Sequence, residues 1–107
     1  MHQITPQQLQ AWLNDSARER PVLLDVREPW ELELCSLSES LRIPMNTIPS
    51  RQHELEPARE TVVICHHGGR SMQVASFLEQ NGFTNVYNLS GGVDAWAREV
   101  DPTMATY

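Results

Sequence analysis

A chain of 107 residues, 40% hydrophobic and 21% charged, has the makeup of one ordinary domain, with enough length for one core and too little for two. Eight Lys and Arg, scattered along the chain, stand against fourteen Asp and Glu. The resulting net charge of -6 excludes a nucleic-acid surface, which needs clustered cations on phosphate. No run approaches the roughly 18 apolar residues of a membrane span, and Met1 to Gln10 holds neither a basic nor an apolar leader, so a cytoplasmic address is expected.

Thr5-Pro6-Gln7-Gln8 reads as a helix start, with Thr5 as N-cap, Pro6 in the first turn and Gln8 closing a capping box; Leu9, Trp12 and Leu13 then share a face. Val22-Leu23-Leu24-Asp25-Val26 is a continuous apolar run after Pro21, the mark of a strand buried on both sides of a parallel sheet. Asp25, Arg27 and Glu28 stand at its carboxyl end. A short helix is predicted over 29–34, a weak strand near Leu41-Arg42-Ile43, and a helical turn or two between Ile48 and Leu55.

Thr61-Val62-Val63-Ile64 is β-branched throughout and predicts a central strand that runs straight into Cys65. Met72, Ala75, Phe77 and Leu78 fall at helical spacing and Asn81-Gly82 supplies a left-handed stop, which predicts a helix over roughly 70–81. Residues 85–89 make a further strand. Gly91-Gly92 turns into a last helix with Val93, Trp96 and Ala97 on its apolar face, and the residues after Pro102 are expected to be extended. Strands alternating with helices imply right-handed crossovers, a parallel sheet covered on both faces, and ligands at the strands' carboxyl ends.

The chemistry concentrates in Cys65-His66-His67-Gly68-Gly69-Arg70-Ser71, between a predicted strand and a predicted helix. A sulfur there faces backbone N–H groups and the positive end of a helix, both of which favour an anion. The two glycines let successive N–H groups turn inward without a side chain in the way, and Arg70 adds a cation. Each effect favours thiolate over thiol, so Cys65 is expected to be a nucleophile.

Cys65-x-x-Gly68-x-Arg70-Ser71 resembles the active-site loop of rhodanese domains. Asp25-Val26-Arg27-Glu28-Pro29-Trp30-Glu31 is similar to that family's first signature, and Gly91-Gly92-x-x-Ala95-Trp96 to its closing one, so the resemblance covers essentially the whole chain. It implies an α/β fold with a central, mainly parallel sheet of about five strands and helices on both faces, as one domain over 1–107. It also implies a sulfurtransferase in which Cys65 takes sulfane sulfur from a small anionic donor such as thiosulfate, as a persulfide, and passes it to cyanide, a thiol or a relay protein. By the same resemblance Arg70 borders the pocket, His66 and His67 wall it, and the backbone of residues 66–71, with Gly68, Gly69 and Ser71, holds the anion. Asp25 and Arg27 are implied to support the loop. No cofactor or metal is implied. Cys35-Ser36-Leu37 departs from the Gly-His-Ile that commonly follows the first signature.

Competing readings exist for several of these residues. Cys35, thirty positions from Cys65, reads as filler more readily than as a resolving thiol. Adjacent His66 and His67 suggest a metal, but neighbours seldom point the same way and no third ligand is evident at useful spacing, so they read as pocket lining. Trp12, Trp30 and Trp96 read as core and edge packing, with Trp96 near the loop by analogy. A cysteine phosphatase or arsenate reductase also sets a cysteine before a helix, but with five residues before its arginine where this chain has four. A binding module that has lost catalysis commonly lacks the cysteine, which is present here.

Overall fold

In a computed structural model describing residues 1–107, the strands are β1 (His2–Ile4), β2 (Val22–Asp25), β3 (Leu41–Arg42), β4 (Thr61–Ile64) and β5 (Val86–Leu89). The helices are α1 (Pro6–Leu13), α2 (Pro29–Leu34), α3 (Ile48–Arg51), α4 (Gly69–Gln80) and α5 (Gly92–Glu99), and single 3₁₀ turns flank α3. The strands form one sheet in the order β1-β5-β4-β2-β3, every pair parallel. The expected α/β architecture of about five strands is therefore present.

Successive residues of the central strands feed opposite cores, as the pleat requires. Leu24, Val63 and Val86 pack under α4 with Val74, Ala75 and Leu78, while Leu23, Val62 and Leu89 pack against α1 and α5 with Leu9, Trp12, Val93 and Trp96. All four residues of β4 are buried, which is why its sequence reads as unbroken apolar. Thr5 and Gln8 close the predicted capping box at 3.1 and 2.9 Å. Gly82, at φ +90°, ends α4, with Phe83 N–H donating to Leu78 C=O and Gly82 N–H to Glu79 C=O.

Three sequence expectations change. β1 went unpredicted because His2-Gln3-Ile4 is a three-residue edge strand, fixed only by its register with Tyr87, Asn88 and Leu89. Met72 lies outside the buried face of α4 at 43% exposed, whereas Trp12 at 4% and Trp96 at 8% are core and Trp30, 59% exposed, packs by its edge on Tyr107. After α5 the backbone turns instead of extending, since Asp101 accepts from the N–H and hydroxyl of Thr103.

Candidate active site

Cys65 follows the last residue of β4 and is 1% exposed. The Gly68 N–H donates to its Sγ at 3.0 Å, and the Ser71 hydroxyl lies 3.2 Å away. Both groups belong to the start of α4, a twelve-residue helix whose amino end adds partial positive charge. Gly68 stands at φ +106°, where a side chain is strained, and a Cβ there would crowd Gly91 N at 3.3 Å. The hydroxyl of Ser71 also contacts Asn88 Oδ1, and Asn88 Nδ2 donates to Gln3 Oε1 at 3.0 Å and to Gly68 C=O at 3.3 Å. Those two acceptors fix the orientation of the amide. Ser71 has one proton to give: turned to Asn88 it leaves the hydroxyl able to accept from a thiol, and turned to sulfur it donates to a thiolate.

The loop is held from behind by α5. Val93 N–H donates to Cys65 C=O at 2.9 Å and Asp94 N–H to His66 C=O at 3.1 Å. Gly92, at φ +60°, lets the helix approach this closely, since a Cβ there would stand 2.3 Å from both carbonyl oxygens.

Arg70, implied by the resemblance to border the pocket, is tied to an acidic partner. Its two terminal nitrogens bind the two oxygens of Glu31 at 3.0 and 2.9 Å, and Glu31 also accepts from Glu28 N–H, which caps α2. Burial pushes the Glu31 carboxyl up, but the hydrogen bonds and charge of Arg70 outweigh it and hold it below the usual range. Sequence reasoning quoted Glu31 only within a signature. A partner 39 residues from Arg70 gives no local signal.

Asp25 and Arg27 are both fully buried and paired, with Arg27 Nη2 2.8 Å from Asp25 Oδ2, and the partners of Arg27 lie outside residues 65–71. Arg27 also donates to Cys35 C=O at 2.8 Å and to the Tyr107 hydroxyl at 3.0 Å. Burial opposes the Arg27 charge, yet the hydrogen bonds to Asp25 and Tyr107 outweigh it and raise its pKa. Cys35 is half-buried in this network, its Sγ 3.8 Å from Arg27 Nη1.

His66 and His67 lie side by side, ring centroids 3.8 Å apart. Their other neighbours differ: Tyr107 stacks on His66 at 3.8 Å and 5°, while His67 is 66% exposed with Nε2 3.9 Å from Asp94. Burial, then the charge of His67, lowers the His66 pKa, and its Nε2 is buried without a partner. The expectation that no third donor accompanies the pair is corrected, because α5 brings Asp94 until ligand atoms of all three lie within 4.8 Å of one another. Asp94 is meanwhile occupied by Arg98 at 2.7 Å.

The structure thus brings Cys65, Gly68 and Ser71 into contact and buries Asp25 and Arg27 as a pair at the carboxyl end of β2, the strand beside β4; Gly69 opens α4 with no neighbour where a Cβ would be. Missed by sequence reasoning are Asn88, Glu31, Asp94 and Tyr107. A concave surface of about 320 Å³ opens beside the loop, lined by Gln3, His67, Gly68, Gly69, Met72 and Asn88 among others. The largest concavity, about 620 Å³, lies at the opposite, amino end of the strands among Arg20, Arg59 and Glu60, away from Cys65, and the strand-end rule favours the smaller one.

The rhodanese-like domain model matches residues 5–99. A sulfurtransferase of Allochromatium vinosum is 39% identical over 87 residues, which cover 81% of this chain and 81% of that protein. The rhodanese-like/PpiC domain-containing protein 12, chloroplastic, of Arabidopsis thaliana is 44% identical over 89 residues; they cover 79% of this chain but 30% of that much longer protein. The crystal structure of a rhodanese-like domain protein from Staphylococcus aureus superposes with a TM-score of 0.85 at 29% identity, covering 100% of this chain and 99% of that one. No helix is long and apolar enough to cross a membrane. With the cysteine loop before α4, the parallel sheet and a family match over nearly the whole length in agreement, the chain belongs to the rhodanese-like domain family.

Proposed function

We propose that this chain is a sulfurtransferase in which Cys65 carries sulfur as a persulfide, residues 1–107 acting as one rhodanese unit. The observation that carries the reading is the Cys65 sulfur at the amino end of α4, 3.0 Å from the Gly68 N–H. Relatives of similar extent that bear the name sulfurtransferase support it. The Cys65 thiolate attacks the sulfane sulfur of thiosulfate or a related anionic donor. The donor's S–S bond breaks, sulfite leaves with the bonding pair, and a Cys65 persulfide anion remains. Cyanide or a thiolate, free or on a relay protein, then takes the outer sulfur and returns the thiolate. Neither step needs a metal or an organic cofactor, and the two cysteines stay reduced in a cytoplasm.

Backbone N–H groups of residues 66–71 stabilise these anions, each such bond contributing about 1.5 to 3 kcal/mol. Arg70 acts as a cation tethered to Glu31, with His66 and His67 as wall. The Asp25 and Arg27 pair holds the end of β2 in place. Intact mass after incubation with thiosulfate tests the reading: the native chain gains one sulfur, cyanide removes it, and Cys65→Ser gains none. A native chain that gains nothing from thiosulfate or from a protein persulfide overturns it.

A further inference from the structure

Asp94 has no part in the sulfur transfer proposed above, and His66 and His67 serve there only as wall. Yet ligand atoms of all three lie within 4.8 Å of one another, with His67 Nε2 3.9 Å from Asp94 Oδ2. The backbone fixes this meeting. Asp94 N–H donates to His66 C=O at 3.1 Å, and Gly92 lets α5 come close enough for it. Two imidazoles and a carboxylate therefore converge from a loop and a helix that are already tied together.

The state of His66 suits it to ligation. Its ring donates to the Tyr107 main chain, while Nε2 is buried without a partner. With the proton on Nδ1 for that bond, Nε2 carries a bare lone pair. A buried polar atom left unpaired costs free energy, and a bound cation removes the cost. An imidazole whose second nitrogen is hydrogen-bonded is also held in the orientation a metal ligand needs.

The other two residues must adjust. With metal–ligand bonds of about 2.0 to 2.2 Å in a tetrahedral site, ligand atoms stand about 3.4 Å apart, so the three must close by at most about 1.4 Å. His67 is exposed and free to supply that movement. Asp94 accepts from Arg98 Nε at 3.1 Å and Nη2 at 2.7 Å, both on Oδ2. That bridge joins neighbours one turn apart on the exposed side of α5, a kind that contributes little to stability, so a divalent cation displaces it.

We propose that His66, His67 and Asp94 form a binding site for a divalent transition metal of the zinc class, with water completing the coordination. Two imidazoles and one carboxylate select such an ion over magnesium or calcium, which take oxygen ligands. The site does not use the Cys65 sulfur and stands whether or not Cys65 carries a persulfide.

Zinc is the probe, and a Cys65→Ser chain keeps the nucleophilic thiol out of the measurement. Imidazole NMR should show His66 and His67 shifting as one equivalent of zinc is added, with His2 and His53 unmoved. Calorimetry should give one site, weakened at least about tenfold when His67→Ala or Asp94→Asn is added, with circular dichroism confirming that each variant folds. Arg98→Ala, which frees the carboxylate, should tighten it about threefold. A Cys65→Ser chain that binds no zinc overturns the proposal, as does zinc that shifts His2 or His53 instead, or that binds His67→Ala as tightly as its parent. An Arg98→Ala chain that binds no tighter removes Asp94 from the ligand set, and the site with it.

Discussion

Arg70 reaches back 39 residues to place both terminal nitrogens on the two carboxylate oxygens of Glu31, so the amino end of α4 and α2 are joined by a two-pronged ion pair. Glu31 is 4% exposed while the Arg70 side chain is 35% exposed, so the pair is only partly shielded from solvent. Glu31→Gln should lower stability by about 1 to 2 kcal/mol, a figure already discounted for the exposed arginine. Because the folded Glu31 carboxyl lies below its usual value, its contribution is complete above about pH 4.5 and disappears as pH falls through the lower folded value. Urea midpoints across pH 3 to 7 should therefore separate native from variant at neutral pH and converge in acid. A separation that stays constant would remove the ion pair from the account.

Gly92 and Gly69 make a contrasting pair of alanine substitutions. A Cβ on Gly92 meets two backbone oxygens at 2.3 Å in a left-handed conformation, whereas a Cβ on Gly69 meets nothing within 4 Å. Gly92→Ala should cost at least about 3 kcal/mol or abolish folding. Gly69→Ala, at the first residue of α4, should change stability by less than about 1 kcal/mol. Thermal melts of the two decide it, and equal losses would refute the packing of α5 on the loop.

The buried pair of Asp25 and Arg27 should be more sensitive than any surface pair. Asp25→Asn leaves a guanidinium in the core facing a neutral amide, at a cost of about 3 to 5 kcal/mol. For a domain of this size each kcal/mol moves the melting point by about 4 to 8 °C. A variant melting within a few degrees of the native chain would show that the network carries little stability.

His66 should titrate below the ordinary histidine value of 6.5, since burial disfavours its charged form. The unfolded chain then binds the proton first, so the His66 contribution to stability is complete above about pH 6.5 and is lost as pH falls through the folded value. Imidazole NMR shifts give the midpoint directly. Tyr107→Ala, by exposing the ring, should raise that midpoint toward 6.5; an unmoved midpoint would mean that the stack does not bury His66.

Ser71→Ala tests the single-proton relay between Cys65 and Asn88. It leaves Asn88 Oδ1 without its hydroxyl donor and removes one of the two groups at the sulfur, so persulfide formation should slow about tenfold while stability falls by about 1 to 2 kcal/mol. Single-turnover loading from thiosulfate measures the first effect, and unchanged loading would exclude Ser71 from the chemistry.

What sequence exposes and what it hides in this chain divides along contact range. The capping box at Thr5, the β-branched run into Cys65 and the stop at Gly82 all act within a few residues, and each forms where its signal stands. β1 needs β5, eighty-odd residues away, to exist at all. The same holds in the site. The bend from Cys65 to Ser71 is one contiguous string, but Glu31, Asn88, Asp94 and Tyr107 reach it through the tertiary fold, and no periodicity or spacing links them to the cysteine. Trp30 shows the same limit: large aromatics are buried on average, and only the three-dimensional course of α2 shows that this one packs by one edge and otherwise faces outward.

The hydrogen bonds from α5 to the carbonyls of Cys65 and His66 mean that the loop's peptide planes are oriented by folding and not by a guest. A carbonyl already engaged on its outer side cannot flip inward, and the next N–H along the loop, that of Gly68, points at the sulfur at 3.0 Å. Exchanging one anion for another at Cys65 then requires little rearrangement of dipoles. In the sulfur transfer proposed above, the part of the field supplied by the loop backbone is in place before a donor arrives.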